Sequence, residues 1–166
     1  MIPSKIAKES ESSHQVAFFS YCAVAENHGF SVADRWAKTG EIDASQSDPV
    51  RSLQWIHHIP NGGSRGDNAK SRKIQGAKMK AEGVRRGVAD IFLPVPMFHE
   101  PTQWHGLYIE MKKPALKPKT CRGKGGLEPE QIEFRKHCNE HNFGYAVCYT
   151  WEEAVHVLKK YMGGWK

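Results

Sequence analysis

Two short apolar runs constrain this chain more than anything else in it. Ala89–Leu93 and Gly106–Met111 are rich in β-branched and aromatic residues, and each is bounded by prolines or glycines: Pro94 and Pro96 after the first, Gly106 and Pro114 around the second. Apolar runs this short, punctuated this way, read as buried strands rather than helices. A third, Tyr145–Tyr149, follows a helical stretch that opens at Pro129, runs to about His141 and closes at Gly144. Proline suits the first helical turn, where its missing N–H costs nothing.

The rest of the chain fits around these strands. From about Ser12 to Asn27 the apolar positions Val16, Phe19, Ala23 and Val24 recur at helical spacing, with Ser12 or Ser13 as cap and Gly29 as stop. Residues 30–50 read as weak helix or loop. Leu53–Ile59 reads as a strand ended by Pro60, and residues 61–66 as a glycine-rich loop. Residues 68–82 read as a cationic helix broken at Gly83, 97–105 as an irregular excursion, and 114–126 as a basic loop. Trp151–Met162 reads as an amphipathic helix, with Glu152 and Glu153 in its first turn and Lys159 and Lys160 in its last, as the helix dipole favours. Two strands adjacent in sequence, followed by a helix and a third strand, predict a single α/β domain with a mixed central sheet flanked by helices. Residues 1–10 are expected to be flexible and 11–166 to form the domain.

Charge says something about partners. Lys and Arg number 24 against 18 acids, a formal net charge of +6, which favours an acidic polymer such as nucleic acid. No run approaches the length of a membrane span, and the N-terminus lacks the apolar stretch of a signal peptide, so a soluble cytoplasmic protein is expected. The four cysteines, Cys22, Cys121, Cys138 and Cys148, form no CxxC pair and are expected as free thiols. Cys138 and His141 have a ligand-like spacing, but no second pair accompanies them.

The chemistry concentrates at the strand edges. Glu110 and Lys112 are two apart, which on a strand places both side chains on one face. Asp90 opens the preceding strand, and an antiparallel pairing can bring it close to Glu110. Two close carboxylates repel unless a cation lies between them, and a hard divalent cation such as Mg²⁺ takes this kind of oxygen site. Lys112 could then bond an attacking water and neutralise charge on a phosphate.

The run Gly83-Val84-Arg85-Arg86-Gly87-Val88-Ala89-Asp90, with Tyr108-Ile109-Glu110-Met111-Lys112 and Gln131 downstream, resembles the VRR-NUC family of the PD-(D/E)xK, or restriction-endonuclease-like, nuclease superfamily. His58-Ile59-Pro60-Asn61-Gly62-Gly63-Ser64-Arg65 resembles the segment leading into that run in stand-alone phage and bacterial members. The resemblance spans about Glu11 to Met162, and Ala89 stands where the superfamily often has proline. It implies a restriction-endonuclease-like fold and metal-dependent DNA cleavage with Mg²⁺, for which Mn²⁺ would substitute. It implies Asp90 and Glu110 as metal ligands, the Met111 carbonyl as a backbone ligand, and Lys112 as the catalytic lysine. Gln131 matches a glutamine that orients the lysine or a phosphate. An acid in the first helix often adds a ligand; Glu11 matches best and Glu26 competes. Branched DNA is the implied substrate: four-way junctions for stand-alone members, flaps for large relatives. A four-way junction is two-fold symmetric and needs two cuts, so a homodimer is expected.

Two basic runs flank the predicted centre: Lys73, Lys80, Arg85 and Arg86 before it, and Lys113, Lys117, Lys119, Arg122 and Lys124 after it, with Arg65 in the glycine-rich loop. Clusters of this kind neutralise phosphates. No recognition-helix motif is present, so selectivity is expected to come from DNA shape. Two other readings remain open. His57, His58 and Asn61 resemble part of an HNH nuclease, and a non-catalytic basic module could carry a similar sheet and loops.

Overall fold

The structure is a computed structural model that describes residues 2–7, 10–60, 68–119 and 125–163. In chain order its elements are α1 (Pro3–Ile6), α2 (Glu11–His28), α3 (Phe30–Thr39), β1 (His57–His58), α4 (Ala69–Ala81), β2 (Ile91–Leu93), β3 (Met97–His99), β4 (Thr102–Trp104), β5 (Leu107–Met111), α5 (Pro129–Glu140), β6 (Gly144–Cys148) and α6 (Trp151–Gly163).

The main sheet has the order β1-β2-β5-β6. β1–β2 and β2–β5 are antiparallel, whereas β5–β6 is parallel, with α5 as the crossover. The sheet is therefore mixed and carries helices on both faces, as the strand order in the sequence predicts. Along β5, Leu107, Ile109 and Met111 join the core formed with α2 and α6, including Phe18, Tyr21, Trp151 and Leu158. The alternate side chain, Tyr108, meets Phe134 of α5 with ring centroids 5.0 Å apart and stacks on Phe92 at 4.2 Å. The two-residue period thus sends odd positions to one helical layer and even positions to the other.

Several expectations change. Phe30–Thr39 is a full helix, burying Val32, Ala33 and Trp36 between Gly29 and a left-handed Gly40. The expected strand over 53–59 shrinks to His57–His58, because a 3₁₀ turn occupies Arg51–Trp55 and leaves Trp55 61% exposed. The excursion at 97–105 contains a two-stranded hairpin, β3–β4. Within the expected loose N-terminus, Pro3–Ile6 forms one helical turn with Pro3 buried.

The most informative change lies in α2. Ser10 caps it, accepting from the Ser13 N–H at 3.1 Å, and its length matches expectation. Its buried face, however, is His14, Ala17, Phe18, Tyr21, Cys22 and Ala25. Of the predicted stripe of Val16, Phe19, Ala23 and Val24, Phe19 and Val24 are half-buried against the core, whereas Ala23 is exposed and Val16 is 52% exposed. The helix is apolar on two sides. Small Ala17, Cys22 and Ala25 let it approach the sheet closely, a packing that spacing alone does not select.

Cys22, Cys138 and Cys148 are free and buried, and burial raises all three thiols, Cys138 to about 11. Cys121 lies outside the described residues. No described helix is long and apolar enough to cross a membrane.

Candidate active site

The β2–β5 pairing builds the centre. Ile91 pairs with Ile109, and the same register carried one residue further sets Asp90 opposite Glu110. The backbone N–H of Met111 donates to Asp90 Oδ2 at 2.9 Å, which fixes that carboxylate across the end of the two strands. The Asp90 carbonyl accepts from the Ile59 N–H at 2.7 Å and lies 2.9 Å from His58 Nδ1. The edge strand β1 therefore clamps the backbone of Asp90.

Glu110 and Lys112 are buried, 1% and 9% exposed, on the face that β5 turns towards α5. Lys112 Nζ lies 2.8 Å from Glu110 Oε1. The same oxygen accepts from Gln131 Nε2. Gln131 also accepts, through Oε1, the backbone N–H of Glu128 at 2.9 Å, closing a capping box at the start of α5. Gln131 thus ties the helix terminus to the carboxylate and acts on the lysine only through Glu110. The second oxygen, Glu110 Oε2, is buried with no hydrogen-bond partner.

Electrostatics reflect this crowding. Burial raises the Glu110 carboxyl to about 7, the Asp90 charge adds to the rise, Lys112 opposes it, and Glu11 adds a smaller increase. Burial also raises Glu11, with Asp90 reinforcing and Lys112 and Lys113 opposing. Glu11, in the first turn of α2, is therefore the first-helix acid that shares the field of Asp90. Glu26 lies ~22 Å further along the same helix, at about 1.5 Å per residue. Among the described residues no three His, Cys, Asp or Glu side chains are already gathered as a metal cage.

The loop before Asp90 is held by close backbone approach. Gly87 has φ +86°, and a Cβ there would lie 2.5 Å from the Glu130 carbonyl oxygen in the first turn of α5. The Arg85-Arg86-Gly87 segment therefore rests against the helix that supplies Gln131.

The predicted DNA contacts are distributed unevenly. Lys73, Lys80, Arg85, Arg86, Lys113, Lys117 and Lys119 are all exposed. Arg86 sits 3.7 Å from Glu130, and Lys117 pairs with Glu153. Exposed pairs of this kind are weak and can exchange for a phosphate. No described side chain of α4 is buried, and Ile74 is 61% exposed, so its cations stand clear of the core. Arg65, Arg122 and Lys124 lie outside the described residues.

Sequence reasoning missed two participants. Gln15 of α2 lies 2.7 Å from His58 Nδ1, and together they flank Asp90. Tyr145 Oη is buried without a hydrogen-bond partner, and burial and the Glu110 charge raise its phenol. The alternation within Tyr145–Cys148 gave the only hint that Tyr145 shares the Glu110 face. His57, by contrast, donates through Nδ1 to the Trp55 carbonyl and packs edge-on to Phe92.

A mixed sheet with an acid at one strand start, a Glu-x-Lys at the end of its antiparallel neighbour, and a helix behind them is a restriction-endonuclease-like fold. Among solved structures, the chain is similar to a VRR_NUC domain protein, with a TM-score of 0.55, 19% sequence identity, and coverage of 95% of this chain and 91% of that one. The chain shares that protein's fold over nearly its whole length. No family model matches the sequence, and neither does any curated protein.

Proposed function

We propose that this protein is a metal-dependent endodeoxyribonuclease whose centre comprises Asp90, Glu110 and Lys112. One observation carries the reading: a carboxylate 1% exposed, with an unpartnered buried oxygen, faces a second carboxylate from the neighbouring strand. Lys112 offsets only one of the two charges, and the second, with Glu110 Oε2 unpartnered, favours a further cation at the pair. The donor set fits Mg²⁺, which uses one or two carboxylates and keeps several waters for phosphate oxygens to replace. Asp90 and Glu110 would hold it, with the Met111 carbonyl and Glu11, directly or through water, completing the protein's share. A cation bound there supplies Lewis-acid polarisation of a phosphodiester and a more acidic water.

The chain's own groups do the rest. Lys112, held by Glu110, presents an ammonium that can donate to the attacking water and to charge developing on the phosphate. Gln131 keeps the Glu110 carboxylate in place, and His58 with Ile59 keeps the Asp90 backbone in place. Exposed cations on α4, on the Arg85-Arg86 loop and on residues 113–119 would bind flanking phosphates.

The finer reading is resolution of four-way junctions by a homodimer, since one centre per chain must cut two strands related by a two-fold axis. Flap or linear DNA is the alternative substrate. The test is cleavage of junction, flap and linear DNA in Mg²⁺ or Mn²⁺, with EDTA as control, alongside sedimentation. Fragments lost on chelation and in Asp90→Ala support the nuclease. Intact DNA in a stable complex under all conditions would leave a binding module. A strict monomer that nicks linear duplex as well as junctions would end the resolvase reading.

A further inference from the structure

The uncovered stripe of α2 borders an open groove of about 810 Å³ that ends on Glu11 and Asp90. Val16, Phe19 and Ala23 of α2 line it at helical spacing, with Ser12, Gln15 and Ser20 of the same helix and His58 from β1. Among the described residues no Lys or Arg lines it. An apolar wall beside an amide and an imidazole suits a neutral planar heterocycle. The groove is also continuous with the proposed metal ligands, so a strand cut at Asp90 would place its neighbouring nucleotide along α2.

We infer that this groove is a subsite for one unpaired nucleobase next to the scissile phosphate, with Val16 and Phe19 as its apolar wall and Gln15 and His58 at the base edge. The inference rests on the nuclease reading for the position of the phosphate. It explains why Val16 and Ala23 stay exposed next to the half-buried Phe19 beside the centre, and it makes the enzyme prefer DNA with an unpaired base near the cut.

The test is binding of the full chain to a hairpin duplex with a short single-stranded overhang, measured by anisotropy in Ca²⁺. Each overhang base is replaced in turn by an abasic site. One abasic position should weaken wild-type binding on the order of tenfold. Val16→Ser should weaken intact DNA similarly and leave that abasic position with little further effect. Val16→Lys distinguishes a phosphate site: if the groove takes a base, the abasic discrimination is lost. Tighter binding with the abasic penalty retained would overturn the inference, as would a wild type indifferent to every abasic position. Val16 is 52% exposed, so neither change should disturb folding. Cleavage of the same DNA in Mg²⁺ is scored separately. Base discrimination without cutting sinks only the nuclease reading, and cutting without discrimination sinks only the groove.

Discussion

Replacing Glu110 by Gln should remove much of the pH dependence of the metal-free fold. Burial beside Asp90 raises the Glu110 carboxyl from 4.5 to about 7. The folded state therefore holds that proton more tightly than the unfolded chain does. The contribution is fully present below 4.5, and it is lost as pH rises through 7. Between about pH 5 and about pH 8 the wild type should lose roughly 2 to 3 kcal/mol from this one group. For a domain of this size that corresponds to a fall in Tm of roughly 5–10 °C. The variant lacks the titration, and comparing slopes cancels the constant effect of leaving Lys112 beside a neutral amide. The assay is thermal unfolding in EDTA at closely spaced pH values. Parallel curves for wild type and Glu110→Gln would refute the reasoning, since they would mean that Glu110 ionises in the fold as it does in the unfolded chain.

Three other outcomes are expected. Lys112→Ala should lower kcat on the order of 10²–10⁴-fold in Mg²⁺ while leaving DNA affinity in Ca²⁺ nearly unchanged, because the lysine acts on charge that develops during the reaction; equal losses in both would point to a binding role. Gly87→Ala should cost on the order of 1–3 kcal/mol by denaturant unfolding, and should lower cleavage, because its methyl group would press on the Glu130 carbonyl from a positive φ; unchanged stability would show that the loop has room. Lys73→Ala with Lys80→Ala should lower affinity equally for all sequences and reduce the slope of log K against log salt by about 1–2; an unaltered slope would remove α4 from the DNA surface.

The triad of Asp90, Glu110 and Lys112 was legible in the sequence because strand alternation is local: two residues apart means one face, and flanking apolar residues mean a buried strand. Helices α2, α4, α5 and α6 were legible for the same reason, through caps, prolines and periodicity. The sequence leaves Phe30–Thr39 between weak helix and loop, because its polar residues outweigh a three-residue buried face.

The sequence by itself determined that strands with ionisable ends would form, which residues along each strand would share a face, and that runs of cations precede and follow them in the chain. Only tertiary structure decided which side of α2 meets the sheet, because both Ala17-Phe18-Tyr21 and Val16-Phe19-Ala23 satisfy helical spacing and close packing alone separates them. It likewise decided that Glu11 rather than Glu26 joins Asp90, that Gln131 bonds the carboxylate and not the lysine, and that one oxygen of Glu110 is left without a partner. Those facts depend on distances between elements remote in the chain, which periodicity does not encode.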